Sequence, residues 1–411
     1  MPHHFRKIIY AIGALILSVC AGLIIWFNVQ LYYPFQQSGI IARDQIAHLH
    51  FIRDAIRQHA DSDMQEVYPE GYVFMNALYG LAWYNIIVQK PLENTIANEA
   101  KKEIHSAWKR IHSAKGKSTF DSTLSIPYGA FYAGWDNYLL GSKLLITKPA
   151  ERDSNEVLIF RKNCESIARV LHNASTPFPS SYENKAWPED GVVCAASLGI
   201  HDKIFEPEYH HALKLWVDHV KSTTKDSSLI AHETDATTGK LITSARGSSQ
   251  SLMLIFLLDI DTAFARQQFN IYRKQFVDFT FGLPSIREYP IGTDGGGDID
   301  SGPIIFGSGA AATIVGMRTM SLYNEPTLAY AIRNSIEGFG MASSTGDSKN
   351  YLFAQFPIAD AFIAWANTTP GLQDVRPEAY TWRNEFHMYS VAAMLVLVAT
   401  LIVARRYIRS S

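Results

Sequence analysis

The chain predicts an all-α fold: an (α/α)6 toroid flanked by one N-terminal and one C-terminal transmembrane helix. Three features predict it. Both ends carry uncharged hydrophobic runs. From Leu31 to Glu385, apolar residues recur at three- and four-residue spacing with few alternating runs. Within that region, six loops of similar chemistry each lead into an apolar helix.

The ends set the topology. Ile8 to Phe27 is long enough to cross a bilayer, and Met388 to Ala404 is slightly shorter. Arg6 and Lys7 precede the first run, and Arg405, Arg406 and Arg409 follow the second. The positive-inside rule then puts both termini in the cytoplasm and the middle on the far side of a bacterial inner membrane. The first run lacks the small-x-small exit of a cleaved signal peptide and reads as an anchor. The expected divisions are 1–30 (tail and anchor), 31–385 (ectodomain) and 386–411 (second membrane helix and basic tail). Ala14, Ser18 and Gly22 recur every fourth residue, a stripe on which helices can associate into an oligomer.

Between the ends, wet and apolar helices alternate. Ile41 to Ala60 is amphipathic, Gly71 to Trp83 is apolar nearly all round, and Asn94 to Ser113 returns to a lysine-rich exposed pattern. The apolar members follow loops that begin near residues 68, 126, 186, 243, 298 and 351, roughly 53 to 60 residues apart. Wetter helices fill the intervals: Glu156 to Leu171, Pro207 to Lys221, Thr262 to Phe281 and Pro326 to Ile336. Six inner and six outer helices make the toroid, with the loops gathered around a central cleft.

The most distinctive loop is Gly295-Gly296-Gly297-Asp298-Ile299-Asp300-Ser301-Gly302-Pro303. Three glycines let backbone or ligand come close. Asp300 or Ser301 is expected to cap the helix behind it, with Pro303 in the first turn. Across the six loops the acids are Glu70, Asp136, Glu189, Asp190, Asp298 and Asp300. Glycoside hydrolysis needs two carboxyl groups, one protonated and one ionised. Glu70, paired with Asp190 or Asp300, meets that need. A helix N-terminus is expected to hold an aspartate ionised, and nearby rings to raise Glu70. Tyr68, Trp187 and Arg246, with Asp298, are candidate binding residues. Tyr128, Tyr132 and Trp135 share a helix face with Asp136 at its edge, which suits either a stacking wall or an aromatic core stripe.

Composition narrows the function. The formal net charge of -2 gives no basis for nucleic-acid binding. Three cysteines, Cys20, Cys164 and Cys194, exclude a disulfide-rich scaffold. Cys194 is a candidate nucleophile or proton donor as well as a buried thiol, and a Cys164–Cys194 disulfide is open outside the cytoplasm. No histidine spacing matches a zinc site, and Asp294, Asp298 and Asp300 do not follow the EF-hand pattern. No metal or cofactor is expected.

Tyr68-Pro69-Glu70-Gly71, Trp187-Pro188-Glu189-Asp190 with Cys194 four residues on, and Gly297 to Pro303 together resemble the linalool dehydratase/isomerase-like domain. More distantly they resemble the six-hairpin glycosidases. The resemblance runs from Ile41 to Asn367 and implies an (α/α)6 barrel with its site at the inner-helix mouth. It also implies cofactor-free acid, tyrosine and cysteine chemistry on an alcohol. The family's second cysteine has no counterpart near Cys194. The expected activity is general acid–base catalysis on a glycan or similar hydroxylated small molecule at the membrane. The alternatives are a dehydratase or isomerase reliant on Cys194, and a non-catalytic toroid that binds glycan or protein.

Overall fold

The protein is mostly helical. The computed structural model describes residues 3–32, 37–38, 41–89, 92–182, 185–224, 228–372 and 382–409. The chain runs through α1 (His3–Gln30), α2 (Arg43–Arg57), α3 (Ala60–Val67), α4 (Gly71–Gln89), α5 (Asn94–Ile111), α6 (Ala114–Lys117), α7 (Gly129–Leu145) and α8 (Ser154–Asn173). It continues through α9 (Pro188–Ile204), α10 (His210–Thr223), α11 (Gly247–Leu257), α12 (Thr262–Phe276), α13 (Ala310–Leu322), α14 (Pro326–Phe339), α15 (Pro357–Asn367) and α16 (Arg383–Arg409).

Six of these helices are apolar on nearly every face and sit inside the fold. Their neighbours follow a cycle: α4 packs on α7, α7 on α9, α9 on α11, α11 on α13, α13 on α15, and α15 returns to α4. The amphipathic helices α2, α5, α8, α10, α12 and α14 cover them, each laying its apolar stripe on one or two of the inner six. Local chemistry sets the starts. Asp153 caps α8 and Asp261 caps α12 through backbone N–H groups, while Pro188, Pro326 and Pro357 open α9, α14 and α15. Helices α7 and α9 pack closely: a Cβ on Gly141 would stand 2.7 Å from Ile200 and 2.8 Å from the Phe160 ring of α8, so a larger residue there would force these side chains to shift.

The connections, before α2 and before several inner helices, hold short antiparallel pairs that helical periodicity did not announce. These are β1 (Gln37–Ser38) with β2 (Ile41–Ala42), and β3 (Lys185–Ala186) with β4 (Glu233–Asp235) and β5 (Leu241–Thr243). Beyond them lie β6 (Val277–Thr280) with β7 (Leu283–Ile286), β8 (Ile304–Ile305) with β9 (Ser308–Gly309), and β10 (Ser343–Thr345) with β11 (Ser348–Asn350). Two expectations are corrected here. The covering helix expected to reach Phe281 stops at Phe276, because residues 277–286 fold back as a hairpin. The helix expected to begin near Pro303 begins at Ala310, because Phe306 and Gly307 take positive φ and close the β8–β9 turn first.

Helices α1 and α16 are long and apolar enough to cross a membrane. They pack on each other, and α1 also packs on α14. Polar contacts tie their domain-side ends: Asn28 Nδ2 donates to Ser390 Oγ at 2.9 Å, and Asn334 Nδ2 donates to the Leu31 carbonyl at 3.1 Å. Of the small-residue stripe, Gly22 is open: a Cβ there would meet nothing within 4 Å.

Trp135 decides between the two readings of the aromatic stripe on α7. It is fully buried, edge-on to Phe74, Phe256 and Trp365. Trp135→Ala is expected to cost about 3–5 kcal/mol of unfolding free energy in urea titrations of the detergent-solubilised protein. A loss under about 1 kcal/mol would contradict this core assignment.

Candidate active site

A cavity of about 170 Å³ lies at the N-terminal ends of the six inner helices. Every one of them contributes, through its first turns or the segment before it. Tyr68, Glu70 and Phe74 come from the start of α4, Phe131 from α7, and Trp187, Glu189 and Asp190 from α9. Ser248, Ser249 and Leu252 belong to α11, Ala311 and Val315 to α13, and Ile358 and Phe362 to α15. Tyr182, His232, Ile299 and Asp300 reach in from the connections. Three segments far apart in sequence, around Tyr68, Trp187 and Asp300, thus meet on one wall.

Four carboxyl groups share this small volume, and burial governs their ionisation. The Asp190 carboxyl is pushed up to about 8, chiefly by burial, with the charges of Glu70 and Asp300 adding to it and a Ser181 hydrogen bond opposing. Asp300 is raised to about 6 by burial and by the Asp298 and Glu70 charges, against Arg246. Glu189 is driven well above the usual carboxylate range by burial and by Asp190. Asp190 departs from the expectation that a helix N-terminus holds an aspartate ionised. In the first turn of α9 the helix dipole is outweighed by lost hydration and by like charges.

The phenols complete the polar wall. Tyr182 donates its hydroxyl to Glu70 Oε1 and sets its ring edge-on to Trp187 at 5.2 Å. Tyr68 and Tyr182 are both held firmly protonated by burial and by the Glu70 charge. His232 is lowered to about 4 by burial and by the Arg246 charge, so it is neutral at pH 7. Its Nδ1 lies 4.0 Å from Glu189 Oε1. Neither His232 Nδ1 nor Glu189 Oε2 has a hydrogen-bond partner among the described residues, which leaves two buried polar atoms on the cavity wall for a ligand.

Arg246 and Asp298 position this wall without lining it. The Arg246 guanidinium holds Glu288 Oε1 at 2.8 Å and Asp298 Oδ1 at 3.1 Å. Asp298 in turn accepts from Ser301 N at 3.0 Å, and Ser301 Oγ accepts from Asp298 N at 2.9 Å. This reciprocal turn fixes Asp300 over the cavity. It also replaces the helix cap expected of Asp300 or Ser301. Burial opposes the Asp298 charge, but Arg246 and Ser301 outweigh it and hold the carboxyl near 2.

Other candidates lie elsewhere. Tyr132 is buried and donates to the Ile111 carbonyl, and Trp135 is core. Asp136 pairs with His112 at 3.2 Å. Tyr128 packs on Tyr132 with Lys117 over its ring. These four face α5 and the interior of the fold, so they do not line the cavity. Cys194 is buried behind the wall, with Sγ donating to the Ala130 carbonyl at 3.2 Å and its thiol pushed well up by burial. Cys164 and Cys194 are both free thiols. Asp294 pairs with Arg287, and no group of side chains suited to a metal ion occurs among the described residues.

Sequence reading missed His232, Tyr182 and Glu288. Tyr182 carried a weak signal, lying five residues before Trp187 in a loop of small and aromatic residues. Glu288 follows a strand and had none. Matched against models of known families and against curated proteins, the chain fits none.

The raised carboxyls leave a stability signature. A folded pKa above the unfolded value adds stability that is complete below about pH 4 and is lost as pH rises through about 6 for Asp300 and about 8 for Asp190. Asp190→Asn and Asp300→Asn are therefore expected to unfold at higher denaturant than wild type at pH 9, with the difference shrinking toward pH 4. Asp298 has the opposite sign: its stability is present above about pH 4 and lost as pH falls through about 2. Asp298→Asn should weaken the fold at pH 7. A reversed order of the three variants at pH 9 would contradict the assigned environments.

Proposed function

We propose that the protein is a membrane-anchored enzyme whose ectodomain is an (α/α)6 toroid, and that it breaks a C–O bond of a glycan or similar hydroxylated substrate by general acid–base catalysis. The closed order of packing among the six inner helices supports the toroid. The basic residues outside both apolar runs support a cytoplasmic position for each terminus and an extracytoplasmic domain. The observation that carries the catalytic reading is the convergence of Asp190 and Asp300, both raised, on one cavity with Glu70, two tyrosines and Trp187.

Near neutral pH, Asp190 is largely protonated and Asp300 largely ionised. Asp190 donates its proton to the leaving oxygen as the C–O bond breaks. Asp300 takes a proton from the water that attacks the carbon, so the two carboxyls exchange roles and the products are two hydroxyl compounds. Glu70 and its Tyr182 partner hold substrate hydroxyls, and Trp187 offers a flat apolar face for the ring. With Cys194 sealed behind the wall, a reaction that depends on this thiol has less support than one run by carboxyls.

Turnover of a panel of 4-nitrophenyl glycosides tests this reading. Asp190→Asn, Asp300→Asn and Glu70→Gln are each expected to lower kcat/KM about a hundred- to ten-thousandfold while circular dichroism stays unchanged. The wild-type kcat/KM should follow a bell with limbs near pH 6 and pH 8, the values of the coupled set. Rates that ignore all three substitutions would sink the proposal. Saturable binding with no product would leave a binding toroid instead.

A further inference from the structure

The exposed apolar side chains of the domain are concentrated at one end. Among the described residues outside α1 and α16, Leu241, Ile291, Phe306, Phe339, Phe353 and Phe356 all stand in water-accessible positions. Phe306 and Phe353 are the most open, 69% and 71% exposed. Phe339 ends α14; the others lie on connections that carry the chain from an outer helix to the start of an inner one. That is the end where the cavity opens. Elsewhere on the domain, large exposed apolar residues are isolated, such as Leu158 on α8 and Leu215 on α10. Scattered residues of that kind are ordinary, but a one-sided collection is not.

The membrane helices join the domain at the same end. The Phe27 ring of α1 stacks on Phe339 at 4.7 Å. Tyr389 of α16 meets Phe281 at the β6–β7 turn, 5.6 Å away, and Phe281 meets Phe306 at the β8–β9 turn, 5.5 Å away. The backbone from Phe306 back to Asp300 is six residues long, and Ile299 and Asp300 line the cavity. A row of rings thus runs from a bilayer-crossing helix to Phe306, and a short stretch of chain joins Phe306 to the cavity lining. Aromatic rings at such a junction suit the headgroup level of a bilayer.

We propose that this end of the domain rests in the bilayer interface, with Phe306 and Phe353 inserted, and that the cavity is loaded from the membrane with an amphiphile whose hydroxylated head it holds while the tail stays among the lipids. The inference rests on the membrane-anchored catalytic reading above and names its substrate class. A head group carried on an apolar tail would account for a polar, acidic cavity at the end of the domain that also carries the exposed phenylalanines.

The test uses the full chain carrying Cys20→Ala, reconstituted in vesicles of phosphatidylethanolamine and phosphatidylglycerol. A nitroxide is placed in turn at F306C, F353C and, as a reference on the covering helix α10, L215C. Labels at 306 and 353 are expected to be relaxed more by oxygen than by a water-soluble nickel chelate, and the label at 215 the reverse. In parallel, an alkyl glycoside with a diazirine on its sugar is expected to cross-link the 299–311 segment at least tenfold more than the same sugar without the alkyl chain.

Labels at 306 and 353 that match the one at 215 would overturn the proposal. So would labels shielded from both reagents, which would place a protein against this end. Equal cross-linking by the tailless sugar would overturn loading from the membrane. Glycoside turnover alongside water-exposed labels would remove this inference and keep the catalytic reading, whereas membrane-depth labels and tail-dependent cross-linking without any product would do the reverse.

Discussion

The candidate site depends on one ion-pair cluster. Arg246 stands at the start of α11 with its guanidinium shared between Glu288, which follows β7, and Asp298, in the loop before β8. The charge is buried, and so is Glu288, which makes the arrangement costly to break from either side. Removing Arg246 would leave two carboxylates facing each other and would release the turn that carries Asp300. The same cation lowers His232 and tempers the rise at Asp300. A single side chain therefore bears on both the position and the charge state of Asp300 and on the charge state of His232.

Around that anchor the protein does what a stability argument alone would avoid. It gathers four carboxyls in a cavity of about 170 Å³ and leaves polar atoms of Glu189 and His232 unpaired. Burial and mutual repulsion raise Asp190, Glu189 and Asp300, and keep a proton on Asp190 at neutral pH. A purely structural cluster would be expected to resemble the Asp44–Arg333–Glu337–Lys349 group, where buried acids and bases alternate within 3.5 Å of each other. The cavity lacks that balance on the α9 side, and this contrast supports a chemical role for its acids.

Much of this was legible in the sequence. The six apolar helices and their wetter partners showed through composition and period, because a helix apolar on every face can only be buried. Tyr68, Glu70, Trp187, Asp190 and Asp300 were singled out from loop chemistry alone, and all five line one cavity. What failed were the local inferences. Tyr128, Tyr132, Trp135 and Asp136 follow the same aromatic–acid pattern, yet the stripe turns into the core and Asp136 finds His112 instead. Helical period gave no sign of the β6–β7 and β8–β9 hairpins, since runs of two to four residues leave no alternation to detect. The ionisation states were also unreadable, because they arise from neighbours brought together across more than a hundred residues.

The central claim is that this cavity stores a proton on a buried carboxyl at neutral pH. Infrared titration of the carboxylic-acid carbonyl stretch in deuterated buffer measures it most directly. A protonated-acid band should be present at pH 7, a component of it should disappear with a midpoint near 8, and that component, not the part owed to Glu189, should be missing from Asp190→Asn. A spectrum with no acid band at pH 7, or with a band that Asp190→Asn leaves untouched, would contradict the account.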